Sequence, residues 1–255
     1  MTTAQKTSTK LSAKERRELE RRRQQQQQTI LLVVVGVVLL VVVVGGILLT
    51  VLAPVDAVVD DKVKTAYSAY DGKADYMGVT ETGYYYLGAK DAPITVEEFS
   101  SLSCPHCYDW HRDVFKNIQD KIQAGQVKFV YIPLTNIGSF NSEPMAKANI
   151  CAGEQGKFWE MQDVLFDWQA RYGTSANDSR RLSAAASALG LDTGKFDTCV
   201  NSSSTQDQIK AAADDATKRG VNGTPTIFVN GENIGTVGLN ELRGVIESKV
   251  AEKAS

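Results

Sequence analysis

From Ile30 to Ala53 the chain carries no charged residue and consists mostly of Val and Leu. Wound as a helix at 1.5 Å per residue, this run reaches roughly 36 Å, enough to cross a hydrocarbon core of about 30 Å with some tilt. A cleaved signal peptide is the rival reading, since Val55-Asp56-Ala57 offers a small-x-small site. The run is, however, well beyond the roughly 7–15 apolar residues such a peptide contains. Gly36, Gly45, Gly46 and the many β-branched valines also suit a buried soluble helix poorly. A retained transmembrane helix is the expectation. Lys6, Lys10, Lys14, Arg16, Arg17, Arg21, Arg22 and Arg23 precede it, whereas Asp56, Asp60 and Asp61 follow it. The positive-inside rule then predicts a cytoplasmic N-terminus, with everything beyond Pro54 outside the cytoplasm and the chain held in the cell membrane by a single pass.

The same charge split bears on function. Residues 1–28 carry +5, so the rest of the chain carries −7 of the overall −2. A nucleic-acid reader places its basic surface on the folded domain, and here that domain is acidic. Four segments follow from these shifts: a basic, Gln-rich tail over 1–28, disordered or weakly helical; the membrane anchor over 29–53; a stalk or linker over 54–83; and a folded domain over 84–255.

Within that domain the pattern alternates between strand and helix. Ile94–Phe99 and Val127–Leu134 read as strands with a helix between them, hence a parallel pair. Tyr84–Leu87 is expected as an edge strand, its tyrosines packed under the sheet. Helical stretches then fill about 140–220, beginning at Ser142 and including 158–168, 182–189, 195–200 and 206–219. Thr224–Asn230 is a strand, and the Asn230-Gly231 turn leads to a return strand near Ile234. An amphipathic helix over 239–250 closes the domain.

At the junction of the first strand and its helix stands Cys104-Pro105-His106-Cys107. This places Cys104 at a helix N-terminus, where unpaired backbone N–H groups and the helix dipole favour a thiolate. His106, if protonated, adds a cation. The thiolate is the nucleophile in disulfide exchange, so the motif reads as a redox centre. A zinc site needs four ligands, and Cys151 and Cys199 stand singly with His111 as the only other histidine. A c-type haem needs His directly after the second cysteine, where this chain has Tyr108. No metal or cofactor is expected. His111 is expected to pack rather than to catalyse, and the Asn-x-Ser/Thr triplets at Asn177, Asn201 and Asn222 are of a kind common by chance.

Three motifs in order carry a resemblance. Leu87-Gly88 through Phe99 followed by the Cys104–Cys107 motif, Cys151-Ala-Gly-Glu-Gln-Gly-Lys-Phe-Trp159, and Gly223-Thr224-Pro225-Thr226 together resemble the DsbA-like thiol–disulfide oxidoreductases over about 84–250. The resemblance implies an α/β chain, a thioredoxin fold with a helical insertion behind the N-terminal transmembrane helix. It implies that Cys104 is the exposed nucleophile and Cys107 the deeper resolving thiol. The Pro105-His106 pair is typical of the oxidising members. Pro225 would be cis, with the Thr224 backbone offering strand-like hydrogen bonds to substrate. Glu98 would be a buried acid exchanging a proton with Cys107, although strand alternation alone allows either Glu97 or Glu98 to face outward. Cys151 and Cys199 would form a structural disulfide closing a loop of about 49 residues, worth at most ~4 kcal/mol; two buried free thiols are the alternative.

The chemistry sets the direction of transfer. Lowering the Cys104 pKa from about 8.5 to about 4.5 favours the reduced form at pH 7 by ~3.4 kcal/mol, about 70 mV toward an oxidising potential. The expectation is therefore an oxidase that donates its disulfide to unfolded secreted proteins. The resemblance, taken with the anchor, implies a membrane quinone-linked partner of the DsbB or vitamin K epoxide reductase type to reoxidise it. A reductase or isomerase is the first alternative, and a non-catalytic binding or chaperone domain with structural cysteines is the second.

Overall fold

The computed structural model describes residues 13–52, 55–73 and 75–254. They form two compact units divided after Pro54. The first is a single helix, α1 (Ala13–Leu52), whose most apolar 18 residues reach a mean hydropathy of 3.4 and whose Val and Leu side chains from Leu31 to Leu49 are exposed. By length and composition it can cross a membrane. The helix is described from Ala13, so residues 13–28 of the basic tail take the helical alternative. Residues 1–12 and Ala53 lie outside the described residues.

The second unit is built on a six-stranded sheet of order β1-β2-β4-β3-β5-β6. The strands are β1 (Met77–Val79), β2 (Tyr85–Leu87), β3 (Ile94–Ser100), β4 (Val127–Pro133), β5 (Thr226–Val229) and β6 (Glu232–Gly235). Only β3 and β4 run parallel; every other pairing is antiparallel. The remaining helices are α2 (Asp61–Lys64), α3 (Pro105–Asp113), α4 (Gln119–Gln123), α5 (Glu143–Gly153), α6 (Phe158–Tyr172), α7 (Ser179–Ala188), α8 (Thr193–Val200), α9 (Ser203–Lys218) and α10 (Leu239–Ala254). The inserted helices α5–α9 fall where the sequence places them.

Strand alternation assigns the two faces. Ile94 and Val96 of β3, Phe129 and Tyr131 of β4, and Ile227 and Val229 of β5 share one core with Trp110, Phe115, Trp159, Leu242 and Ile246 from the helical side. Phe99, Val130, Ile132 and Phe228 pack on the other face against Ala212 and Ala216 of α9. Glu98 therefore points into the first core, and Glu97 points to the second face, where it meets Arg219 at 2.8 and 2.9 Å.

Two expectations are corrected. Residues 55–83 are no stalk. Tyr67 and Tyr70 are 2% and 1% exposed, Trp168 donates to the Val58 carbonyl at 2.8 Å, and Tyr70 donates to Gln119 at 2.6 Å. Isolated aromatic anchors on an irregular segment make no periodic pattern, so their burial leaves no signature in the sequence. Nor is Tyr85–Leu87 an edge strand: β1 pairs along its outer side, making the three-residue β1 the edge.

Candidate active site

Cys104 is the N-cap of α3, with extended backbone (φ −92°, ψ 117°), and Pro105 opens the first turn. Proline is suited there because its missing N–H is one that the helix leaves unpaired. The next turn brings Cys107 beneath it, fully buried. Both are thiols in this structure. Cys104 is the less enclosed of the two but is only 6% exposed, not the open nucleophile implied by the resemblance. Its Sγ donates to the Thr224 carbonyl at 3.3 Å, and the Thr224–Pro225 peptide is cis. Trp110 Nε1 donates to the Val237 carbonyl at 2.9 Å, tying α3 to the segment between β6 and α10, and from that segment the Thr236 hydroxyl donates to the Pro225 carbonyl. Between α3 and the cis-proline loop runs an open groove of about 400 Å³ bordered by His106, Trp110, Thr224, Pro225 and Val237.

The two sulfurs sit in opposite electrostatic settings. Hydrogen bonding from the Cys107 thiol, opposed by burial and helped by Thr224 and the backbone N–H groups of Cys107 and His106, lowers Cys104 to about 5. What position 106 supplies is its backbone N–H; the His106 side chain is exposed at the groove. Burial, the hydrogen bond to Cys104 and the Glu98 charge all push Cys107 far above the ordinary thiol value. Such a pair ionises at one sulfur only. Glu98 completes the arrangement. It is fully buried, neither carboxylate oxygen has a hydrogen-bond partner, and burial raises it to about 8, with the Cys104 charge adding and Ser100 opposing. A carboxyl so placed is protonated at neutral pH and holds a proton near Cys107.

The sequence reading missed the serines that carry the loop before the motif. Ser101 donates its backbone N–H to Cys107 Sγ at 3.4 Å, and its hydroxyl lies 3.2 Å from those of Ser103 and Ser142. Ser103 in turn donates to the Phe140 carbonyl at 2.6 Å. Ser101 and Ser103, within three residues of Cys104, were the available signal. Cys151 and Cys199 stand apart from this constellation: they are joined (S–S 1.97 Å, Cα–Cα 5.7 Å) and link α5 to α8. His111 is buried, stacked on Phe115 and bonded to Asp163 at 2.7 Å.

A family model described as Thioredoxin matches residues 80–248. The chain belongs to the thioredoxin family. Among its branches, the DsbA-like thiol–disulfide oxidoreductases are the one the motifs resembled, and the relatives agree. Disulfide bond formation protein D of Bacillus subtilis is 27% identical over 184 residues, covering 67% of this chain and 79% of that protein. The crystal structure of oxidised BdbD from the same organism superposes with a TM-score of 0.56 at 26% identity, covering 65% of this chain and 92% of that one. The Na(+)/H(+) antiporter NhaA 1 of Salinispora arenicola is 30% identical over 165 residues, which is 64% of this chain but 24% of the antiporter. The chain thus spans about a quarter of that antiporter's length.

Proposed function

We propose that this chain is an extracytoplasmic thiol–disulfide oxidase, held at the membrane by α1, that donates the Cys104–Cys107 disulfide to translocated proteins. A substrate thiolate attacks Cys104 Sγ, forming a substrate–Cys104 disulfide while the Cys107 sulfur leaves with the electron pair and takes a proton. A second substrate thiolate then attacks the substrate's own sulfur and Cys104 leaves as thiolate. The substrate loses two electrons and two protons. The protein keeps both electrons and one proton, on Cys107, and the other proton goes to solvent.

One observation carries this reading: the sulfur that must leave last is the one whose anion is stabilised, with Cys104 lowered to about 5. A good leaving group at Cys104 favours transfer onto substrate over return to the reduced substrate. It also argues against a reductase, which needs the opposite bias. The groove beside Pro225 suits an extended, unfolded peptide chain. Return to the disulfide needs an electron acceptor, for which a membrane quinone-linked protein of the DsbB or vitamin K epoxide reductase type is the proposed partner.

The test is a thiolate titration of the reduced full-length chain in detergent, followed by ultraviolet absorbance. Half-ionisation near pH 5 is expected, lost in Cys104→Ser. Ionisation only at ordinary thiol pH, about 8.5, overturns the oxidase.

A further inference from the structure

Cys107 and Glu98 are both sealed from solvent, yet each turnover must bring one proton to Cys107. Glu98 can supply it once. It must then be reprotonated, and the groove that admits substrate does not reach it. The sheet register points to another route. Glu98 lies directly beside Tyr131 of β4, with Ser100 next on the same strand face. The titratable groups facing Glu98 are Cys104 and Cys107 from α3 and Tyr131 from β4; its β5 neighbour is the apolar Ile227. Beyond Tyr131 stand Gln162 of α6 and Asn149 of α5, both buried. Both Glu98 oxygens, the hydroxyls of Ser100 and Tyr131, and both amide ends of Gln162 and Asn149 lack a protein hydrogen-bond partner.

Buried polar atoms are ordinarily paired, with water where protein supplies no partner. Eight of the unpaired atoms here fall on neighbours: Glu98, Ser100 and Tyr131 adjoin across β3 and β4, Gln162 faces Tyr131, and Asn149 shares a cleft with it. This group ends at an opening: Tyr131 and Asn149 line a narrow cleft with Gly83, Ala146, Phe158 and Gln208. Its free volume of about 10 Å³ is on the order of one water. The cleft shares no lining residue with the substrate groove.

We propose that Ser100, Tyr131, Gln162 and Asn149 form a hydrated proton path from this cleft to Glu98, separate from the substrate groove. The inference rests on the oxidase reading for its use and not for its existence. Tyr131 and Asn149 are positioning residues: they hold water and pass a proton to the acid that serves Cys107.

The experiment uses the full-length chain in detergent, comparing the parent with Tyr131→Phe and Asn149→Leu. Reprotonation of Glu98 is followed by the infrared carboxyl band after a downward pH jump on the reduced protein. Single-turnover oxidation of a dithiol peptide is measured alongside. Both variants are expected to slow reprotonation and peptide oxidation by about tenfold, below the 10²–10⁴ that a direct proton donor contributes. The loss should be recovered by added imidazole as a small proton carrier and be larger in D₂O, with the Cys104 titration unmoved. If one variant does not fold, the other is read alone, and Gln162→Met replaces it. Reprotonation at the parental rate in the folded variants overturns the path, as does a slowing that imidazole and D₂O leave unchanged. A parent that shows the infrared effect but does not oxidise the peptide leaves the path standing and removes the oxidase.

Discussion

Two carboxylates enclosed in the same domain are held in opposite states. Glu98 lies under the cysteine motif without a hydrogen-bond partner, and burial drives its pKa up. The Asp163 side chain is 9% exposed and is met by His111 at 2.7 Å, by the Tyr67 hydroxyl at 3.0 Å and by Lys116. Burial pushes Asp163 up as well, but hydrogen bonds and charge from His111 and Lys116 outweigh it and hold the carboxyl below its ordinary value. Burial likewise pushes His111 down, against the upward pull of its hydrogen bond and the Asp163 charge. Enclosure alone therefore does not decide ionisation; the supply of partners does. Asp163 is fully served and fixes structure, tying residues 55–73 to α3 and α6. Glu98 is left unserved and keeps an exchangeable proton.

The sharpest way to break this contrast is at Asp163. Asp163→Ala strands Lys116 and Tyr67 and should cost about 4 kcal/mol in urea unfolding at pH 7, within the range for removing one partner of a buried pair. Because the folded-state pKa is depressed, the stability Asp163 contributes is present above the ordinary aspartate value and is lost as pH falls through the folded one. The penalty should accordingly shrink in acid. An equal penalty at pH 3 and pH 7 would show that the pairing is not electrostatic.

Glu98→Gln in the reduced chain should behave with the opposite sign. The folded carboxyl keeps its proton to about pH 8, while in the unfolded chain it ionises near 4.5, so the native state binds more protons between these values. Stability of the parent then falls as pH rises through that window, and the variant escapes the loss. Its advantage over the parent should grow by about 3 kcal/mol between pH 4.5 and pH 7, at 1.36 kcal/mol per pKa unit. Parallel stability curves would mean that Glu98 ionises normally.

The framework was legible because its signals are local. Apolar alternation in Ile94–Phe99, the Cys104–Cys107 spacing and the Thr224-Pro225 step each lie within a few residues, and together they indicated the fold and the family. The contrast between Glu98 and Asp163 was only half legible. Ile94 and Val96 set a register that turns Glu98 inward, but apolar Phe99 on the next position blurs it. Asp163 reads as one more acid on the polar side of α6, and nothing nearby in the sequence announces Lys116 and Tyr67, which reach it from 47 and 96 residues away. Irregular segments held by single aromatic rings, such as 55–73, leave no period to read. The group of unpaired polar atoms behind Tyr131 exists only once β3, β4, α5 and α6 are assembled.

Glu97 supplies an intermediate case and the smallest effect. One residue from Glu98 and on the opposite face, it forms a two-pronged pair with Arg219, whose guanidinium lies over the Phe228 ring at 3.9 Å. Both side chains are about one-fifth exposed (22% for Arg219 and 20% for Glu97), so solvent and salt screen the pair in a way they cannot screen Asp163. Glu97→Gln should cost about 1 kcal/mol at low salt and less at 1 M salt, with the peptide-oxidation rate unchanged. If partner supply is what separates the carboxylates, the three costs rank Asp163 above Glu97 above Glu98, the last being negative at neutral pH. A Glu97→Gln penalty as large as that of Asp163→Ala, and as insensitive to salt, would mean that the ring stacking beneath Arg219 depends on the carboxylate. The ranking would then reflect packing instead of charge.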